Sequence, residues 1–192
     1  MKLRAVAPSS PGPTDADLAV AAIAGERWGQ EAIFRKYARL VNGLSFRLMG
    51  SRADADDLSQ DVFVQAFQSL QRLENHQSLS SWLCSITVRT AHKRIRRLRL
   101  MTRLGLRRSE AVNFDAVVSN TAPTEVQVEL RGVYAILHEL PAEDRMALVL
   151  RRVEGMAIGE IAAHLERSVA TVKRRLKSAE AHLARRLGGV HD

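Results

Sequence analysis

The distribution of proline constrains the fold of this chain more than any other feature of the sequence. All five prolines lie in three places: three within the first thirteen residues, then Pro123 and Pro141. Proline removes a backbone donor and clashes with the preceding helical turn, so the two long proline-free stretches, 14–122 and 142–192, are open to helix formation. We therefore expect an all-α protein.

Apolar residues recur at helical spacing within these stretches. In residues 31–48 they are separated by steps of 4, 4, 3 and 4, which is one stripe of a 3.6-residue helix, and Gly50 is placed to end it. Asp54 is predicted to cap the next helix, and a further helix carries Trp82. Seven of the nine aromatic residues fall between Trp28 and Trp82, which indicates one compact core there.

These patterns divide the chain into two small helical domains. Residues 1–14 are expected to be a disordered leader, 15–99 the first domain and 126–187 a second domain of four helices. Between them, residues 100–125 lose the periodicity and contain Gly, Asn, Ser and Pro, which favours a flexible linker.

The composition narrows the classes of function. With 29 Lys and Arg against 21 Asp and Glu, the net charge of +8 favours a polyanionic partner. A single cysteine, Cys84, excludes a disulfide scaffold and a cysteine-based zinc cage and fits a reducing cytoplasm. The sequence contains no long uncharged apolar run, so we do not expect membrane insertion. Nucleotide-binding, metalloprotease and serine-hydrolase motifs are missing from the sequence, so we expect no enzyme, no catalytic or metal-binding residues and no cofactor.

A helix-turn-helix pattern is the sharpest local signal in the second domain. Residues 157–165 predict a short helix, Ser168 is placed to cap a second one, and Val169, Val172 and Leu176 are expected to face inward. Outward-facing donors on the second helix would contact phosphates and base edges in a major groove. The candidate DNA-binding residues are Ser168, Thr171, Lys173, Arg174, Arg175 and Lys177. An amphipathic helix with a solvated basic face is the alternative interpretation.

Two further charge patterns lie at the helices of the first domain. Residues 89–108 contain nine Lys and Arg and no acid, so one face of this helix suits backbone phosphates. Trp82 beside it could stack on an unpaired base. A solvated helix end and a core tryptophan are the alternative interpretations.

The carboxylates of Asp57 and Asp61 share one helix face, and this acidic helix with its apolar neighbours favours protein docking over catalysis.

Taken together, the motifs resemble those of a known family. Residues 54–63, followed by Ser81-Trp82-Leu83, resemble region 2 of bacterial RNA polymerase sigma factors. Four later segments are similar to region 4: Leu140-Pro141, Val153-Glu154-Gly155, Glu160-Ile161-Ala162 and residues 169–176. Their order, without a large middle domain, is similar to the extracytoplasmic-function (ECF) group of the sigma-70 family.

The resemblance implies a non-catalytic, cytoplasmic subunit that binds RNA polymerase core and directs promoter-specific transcription initiation. Its partners would be the β′ clamp coiled coil, the β flap, promoter DNA and an anti-sigma factor, without membrane insertion. The first domain would be region 2, which recognises and melts the −10 element, where a base is turned out of the stack. The second domain would be region 4, whose helix-turn-helix recognises the −35 element.

The contact residues of the family carry over to three sets of positions. Polymerase docking is implied for Asp54, Asp57, Leu58, Gln60, Asp61 and Phe63. Recognition of the −10 element is implied for Asn75, His76, Gln77, Trp82, Arg89, Lys93, Arg94 and Arg97. Recognition of the −35 element falls to the helix-turn-helix residues named above. Glu166 departs from the family pattern, because many such motifs have glycine in the turn.

Two other functions account for parts of the pattern. A stand-alone helix-turn-helix transcription regulator would bind specific duplex DNA tightly without polymerase, whereas a sigma factor should bind free DNA poorly. A decoy that docks on polymerase or on an anti-sigma factor without reading promoters would keep its activity when Lys173, Arg174 and Arg175 are replaced by alanine.

Overall fold

The fold is helical throughout the residues that the structure, a computed structural model, describes: 12–73, 79–105 and 124–188. Within these residues there are eight α-helices and no strand, which confirms the all-α prediction. The helices are α1 (Asp15–Ile23), α2 (Arg27–Met49), α3 (Arg52–Ser69), α4 (Leu79–Arg103), α5 (Thr124–Glu139), α6 (Ala142–Arg152), α7 (Ile158–His164) and α8 (Val169–Gly188). A short 3₁₀ turn, Leu70–Arg72, follows α3. Most of the predicted leader and linker lies outside the described residues.

The junction between α2 and α3 follows from two adjacent residues. Gly50 adopts a left-handed conformation (φ 78°), and its N–H donates to the carbonyl oxygen of Phe46 at 2.8 Å, which ends α2 as predicted. The prediction that Asp54 caps α3 is wrong. Ser51 is the cap, and its hydroxyl accepts from the N–H of Asp54 at 3.4 Å. Ser51 is the first side chain after Gly50 that offers an acceptor oxygen, so α3 begins at Arg52.

The first domain consists of α1 to α4 around an apolar core. The stripe read from residues 31–48 lies inside it: Ile33, Val41, Leu44 and Leu48 are each at most 1% exposed. Each such side chain contributes about 1.5–3 kcal/mol through burial. The fourth helix is longer than the sequence suggested. It continues to Arg103, so the first residues of the predicted linker are helical.

The second domain consists of α5 to α8, and it packs directly on the first. Met146 and Leu150 of α6 are fully buried and belong to the same apolar core as Leu48 of α2. The sequence predicted two domains and a linker but gave no sign of this contact, because periodicity identifies the apolar face of a helix and not its partner.

Arg145 of α6 is the central polar residue of this domain contact. Only 7% of it is exposed, and its Nη2 donates to the carbonyl oxygens of Leu48 and Met49 at 3.4 and 3.5 Å. These carbonyls lie at the C-terminal end of α2, where a cation is favoured. Burial, with a smaller contribution from the charge of Arg99, lowers the pKa of Arg145 to about 10, so the guanidinium stays charged at neutral pH.

Three further contacts join the two domains. Arg47 of α2 pairs with Glu154 at 2.6 Å, and the ring of Phe46 meets that of Tyr134 edge-on at 5.9 Å. The imidazole of His138 lies against Gly50, and its Nδ1 accepts from Nη1 of Arg145 at 3.2 Å. Burial and the charge of Arg145 lower the pKa of His138 to about 4, so it acts here as a neutral acceptor.

Replacing Gly50 by alanine should disrupt both the end of α2 and the domain contact. An L-residue with positive φ costs about 1–2 kcal/mol. The new Cβ would also overlap Cε1 of His138, so the ring must move. We expect a loss of about 2 kcal/mol or more in the free energy of unfolding, measured by urea denaturation. Gly132→Ala in α5 is the control, because a Cβ there meets no other atom within 4 Å. Equal stability of the two variants would contradict the expectation.

Candidate nucleic-acid interface

Helices α7 and α8 form the helix-turn-helix that the sequence predicted. The small residue Ala162 of α7 and Val172 of α8 are both buried where the two helices pack. The N–H of Thr171 donates to the hydroxyl of Ser168 at 3.2 Å, which confirms Ser168 as the cap of α8. The cap fixes where α8 starts, and therefore which side chains its first turns present to solvent.

The turn between α7 and α8 contains a strained residue. Among the described residues, Glu166 is the one non-glycine with a positive φ, at 52°. The sequence departs from the family at this same position, where many helix-turn-helix motifs have glycine. The backbone therefore keeps the left-handed turn although the side chain disfavours it.

Glu166→Gly should relieve this strain. We expect the free energy of unfolding of Glu166→Gly to exceed that of Glu166→Ala by about 1 kcal/mol, measured by urea denaturation. Both variants lose the same carboxylate, whose pairing with Arg96 is long at 4.0 Å and exposed, so their difference reports the backbone alone. An alanine variant as stable as the glycine variant would show that the turn is not strained.

The faces of α8 separate apolar from basic side chains. Val172 and Leu176 are buried as predicted, whereas Val169 is 45% exposed, so the prediction that it faces inward is wrong. Val169 is the first residue of the helix. On the outer face, Lys173 and Arg174 are exposed, and so are Lys177 and Ser168. Thr171 is partly buried.

Arg175 differs from its basic neighbours on α8. It is predicted to face outward, but the structure turns it toward two carboxylates of α6. Its Nη1 donates to Oδ1 of Asp144 at 2.7 Å, and its Nη2 pairs with Glu143. Burial by itself would raise the pKa of Glu143, but a hydrogen bond from Arg167 and nearby arginine charges outweigh it and lower the pKa overall. Glu143 is therefore an anion inside an arginine cluster.

Helix α4 carries the second basic surface. Arg89, Lys93 and Arg97 are exposed, as expected for residues that contact phosphates. Arg96 and Arg103 line the same open cleft as Lys93 and Arg97, although they were not among the predicted residues. The spacing of Arg96 from Lys93 already puts the two on one helix face, whereas Arg103 joins that face only because α4 continues into the predicted linker.

The remaining residues predicted to read the −10 element have different surroundings. Trp82 is half-buried and packs against the core of the first domain, which agrees with the core alternative and leaves part of the side chain exposed. Asn75, His76 and Gln77 lie outside the described residues, so their role stays a prediction.

Arg94 is directed at the acidic face of α3 rather than at the basic cleft. Its guanidinium lies 2.8 Å from Asp57, 3.2 Å from Asp61 and 3.7 Å from Asp54. The spacing of Asp57 and Asp61 in the sequence already predicted that they share one face of the helix. Their common partner was not, since it lies more than thirty residues further along the chain.

The residues predicted to dock on a protein partner divide into surface and core. Asp57, Gln60 and Asp61 are exposed on α3. Leu58 and Phe63 are 0% and 5% exposed, so the structure places them in the core of the first domain. Val64, which the sequence reasoning missed, is 55% exposed on the same helix and supplies the apolar part of that surface.

The described ranges contain neither a metal-binding cluster nor a membrane-spanning helix. No group of three or more His, Cys, Asp or Glu side chains that could hold a metal ion occurs among residues 12–73, 79–105 and 124–188. No helix in that part of the chain is long and apolar enough to cross a membrane.

Comparison with known families assigns both halves of the chain. Residues 33–100 match Sigma-70 region 2, and residues 130–183 match Sigma-70 region 4. The chain is 31% identical over 175 residues to the ECF RNA polymerase sigma factor SigM of Mycobacterium tuberculosis (strain H37Rv), covering 91% of this chain and 85% of that protein. It belongs to the ECF sigma factor family. The resemblance seen in the sequence is therefore confirmed, and this sigma factor acts in promoter-specific transcription initiation.

Other relatives agree with this assignment. The ECF RNA polymerase sigma-E factor of Escherichia coli (strain K12) is 30% identical over 148 residues, covering 73% of this sigma factor and 77% of the relative. Members of the family are non-catalytic initiation factors that bind RNA polymerase core and promoter DNA. A stand-alone transcription regulator is accordingly not favoured.

Two solved structures share the fold. One is the sigma factor RpoE in complex with the anti-sigma factor NepR from Bartonella quintana, with a TM-score of 0.64 at 21% identity over 82% of this chain and 96% of that chain. The other is CnrH in complex with the cytosolic domain of CnrY, with a TM-score of 0.58 at 26% identity over 91% and 97% of the two chains. In both complexes the similar chain is bound to another protein.

Proposed function

We propose that this sigma factor recognises the −35 element with α8 and the −10 element with α4, while α3 docks on RNA polymerase core. The observation that carries the proposal is the separation of charge in the described residues. Exposed cations that belong to none of the described ion pairs lie on α4 and on the first turns of α8, whereas α3 presents three exposed carboxylates, Asp56, Asp57 and Asp61. Polyanionic DNA suits the first two surfaces, and a basic or mixed protein surface suits the third.

The −35 contacts are assigned to the exposed start of α8. Lys173, Arg174 and Lys177 can reach phosphates and base edges when the helix enters a major groove. Ser168 and Thr171 lie at the end of the helix that approaches the bases, and the exposed Ser168 hydroxyl already caps the helix. A phosphate bound at this end would also meet the free N–H groups of the first turn.

The −10 contacts are assigned to the basic cleft of α4. Lys93 and Arg97 are exposed there, and we add Arg96 and Arg103 because they line the same cleft. Arg89 is exposed on the same helix, outside the cleft. The positive charge of the cleft suits the phosphates of a melted strand. Trp82, near the start of α4, would hold a base that has left the stack, together with the predicted residues Asn75, His76 and Gln77.

The exposed side of α3 is assigned to the β′ clamp coiled coil. Gln60, Asp61 and Val64 combine charge with an exposed apolar side chain, which is typical of a protein interface. Arg94 holds the carboxylates of this helix in place. Part of region 4 would meet the β flap.

The same family relationship supports three further parts of the proposal. The sigma factor would act in the cytoplasm, without catalytic activity of its own. An anti-sigma factor would control it, because the similar chains in two solved structures are bound to the anti-sigma factor NepR and to the cytosolic domain of CnrY.

Promoter binding requires the two domains to separate. The −10 and −35 elements lie about 25 base pairs apart, which is on the order of 85 Å along B-DNA. A compact chain of 192 residues has a radius of gyration of about 16 Å and is therefore about 40 Å across. The closed arrangement, with α6 packed on α2, is too small to hold both elements at once.

Separation can be measured by fluorescence energy transfer between labels on α2 and α8. We expect the distance to increase when holoenzyme forms on a promoter, relative to the free sigma factor. Labels placed on α2 and α3, within one domain, are the control and should report no change. An unchanged distance between α2 and α8 in the promoter complex would contradict the proposed division of the promoter between the domains.

The function itself is tested by transcription with purified core polymerase. Sequencing the 5′ ends of the transcripts should reveal common −10 and −35 elements. Arg174→Ala should reduce initiation that depends on the −35 element by about tenfold, the loss expected for one base or phosphate contact. Arg185→Ala removes one exposed charge from the far end of the same helix and is the matched control. Equal activity of both variants would contradict the assignment of α8.

A further inference from the structure

Glu143 of α6 lies at the meeting point of three arginines. Its side chain is only 6% exposed, and its Oε1 accepts from Arg99 at 3.2 Å and from Arg167 at 3.4 Å. Its other carboxylate oxygen, Oε2, pairs with Arg175. Arg99 comes from α4 of the first domain, Arg167 from the turn of the helix-turn-helix and Arg175 from α8.

Arg175 is held from two sides by buried carboxylates. Glu143 binds one guanidinium nitrogen, and Asp144, whose side chain is 8% exposed, accepts from the other at 2.7 Å. A planar guanidinium shared between two carboxylates is fixed in orientation as well as in position. Its neighbour Arg174 is exposed, and none of the described ion pairs involves it. Two adjacent basic residues of one helix therefore have different surroundings.

Moving Arg175 to a DNA phosphate would leave the buried carboxylate of Asp144 without its cation and would take from Glu143 one of its three arginine partners. Removing one partner of a buried ion pair is strongly unfavourable, because the remaining charge stays desolvated. A phosphate contact in the same place would replace one charge pair by another and would not compensate for that loss. The geometry thus opposes a direct role for Arg175 in DNA contact, although the sequence places it in a row of three basic residues.

We propose that Arg175 is a positioning residue, which together with Glu143 and Asp144 sets the rotation of the recognition helix α8 on α6, while Lys173, Arg174 and Lys177 contact the DNA. This inference rests on the proposed recognition of the −35 element by α8. Both carboxylates lie in the first turn of α6, and Arg175 lies in the second turn of α8. The pairing therefore joins the two helices close to the end of α8 that enters the groove.

The pairing does not depend on the closed arrangement of the domains. Arg99 leaves Glu143 when the first domain moves away, but Arg167, Arg175 and Asp144 belong to the same domain as Glu143. The orientation of α8 is therefore preserved in a promoter complex, where it determines which side chains face the bases.

The salt dependence of promoter binding distinguishes a positioning residue from a phosphate contact. Holoenzyme reconstituted with the full chain is titrated onto a promoter identified by the 5′-end mapping and onto the same fragment with a scrambled −35 element, over a range of salt concentrations. Arg174→Gln should reduce the slope of log K against log salt by about 0.9, the value for one phosphate. Arg175→Gln should leave that slope unchanged and reduce the preference for the intact −35 element by about tenfold.

The carboxylate partners provide a second measurement that a DNA contact would not affect. Glu143→Gln combined with Asp144→Asn removes no positive charge, yet it should lower the −35 preference as Arg175→Gln does, with the slope again unchanged. Combining all three substitutions should add little further loss, because they interrupt one interaction. Arg175→Lys keeps the charge and should recover part of the preference. Circular dichroism and the unaltered binding of each variant to core polymerase verify that the domains are folded.

The possible outcomes separate the two proposals. A slope reduced by about 0.9 in Arg175→Gln would show that Arg175 binds a phosphate and would overturn the positioning role alone. An unchanged −35 preference in the carboxylate variant would also overturn it. If Arg174→Gln changes neither slope nor preference, α8 does not read the −35 element, and both proposals fail.

Discussion

The packing of α6 is the constraint on which the rest of this structure depends. One of its sides buries Met146 and Leu150 in the core shared with the first domain, and Arg145 donates to the last carbonyls of α2. Its first turn holds α8 through Glu143 and Asp144. A single eleven-residue helix thus positions the second domain on the first and the recognition helix within the second. The apolar contacts supply most of the stabilisation, and the buried ion pairs restrict the geometry.

The net charge of this sigma factor does not by itself identify the surfaces that bind DNA; the positions of the charged side chains do. Two cations of the predicted DNA-binding sets, Arg94 and Arg175, are occupied by carboxylates of their own chain. The exposed cations of these two sets that remain lie on α4 and on the start of α8, which are the surfaces we assign to promoter DNA. Intramolecular pairing therefore removes two of the predicted cations from those available to phosphates.

The features that could be predicted from the sequence are those that depend on residues close to each other along the chain. The left-handed Gly50, the cap at Ser168 and the buried stripe of α2 depend on residues within one or two turns of each other, and they were readable. The start of α3 was misjudged because Ser51 and Asp54 both suit a cap, and the earlier one is used. Leu58 was assigned to docking although it lies in the core, because a resemblance transfers the segment and does not separate its buried from its exposed positions.

By itself, the sequence determined the helices, their order, the helix-turn-helix and the family, because proline spacing, apolar periodicity and capping act over short distances along the chain. Only the tertiary structure decided that α6 packs on α2, that Arg94 faces α3 and that Arg175 is held by Glu143 and Asp144. These contacts join residues from about thirty to a hundred positions apart. A side chain's periodic position fixes the direction in which it points, but its partner depends on how the helices assemble in three dimensions.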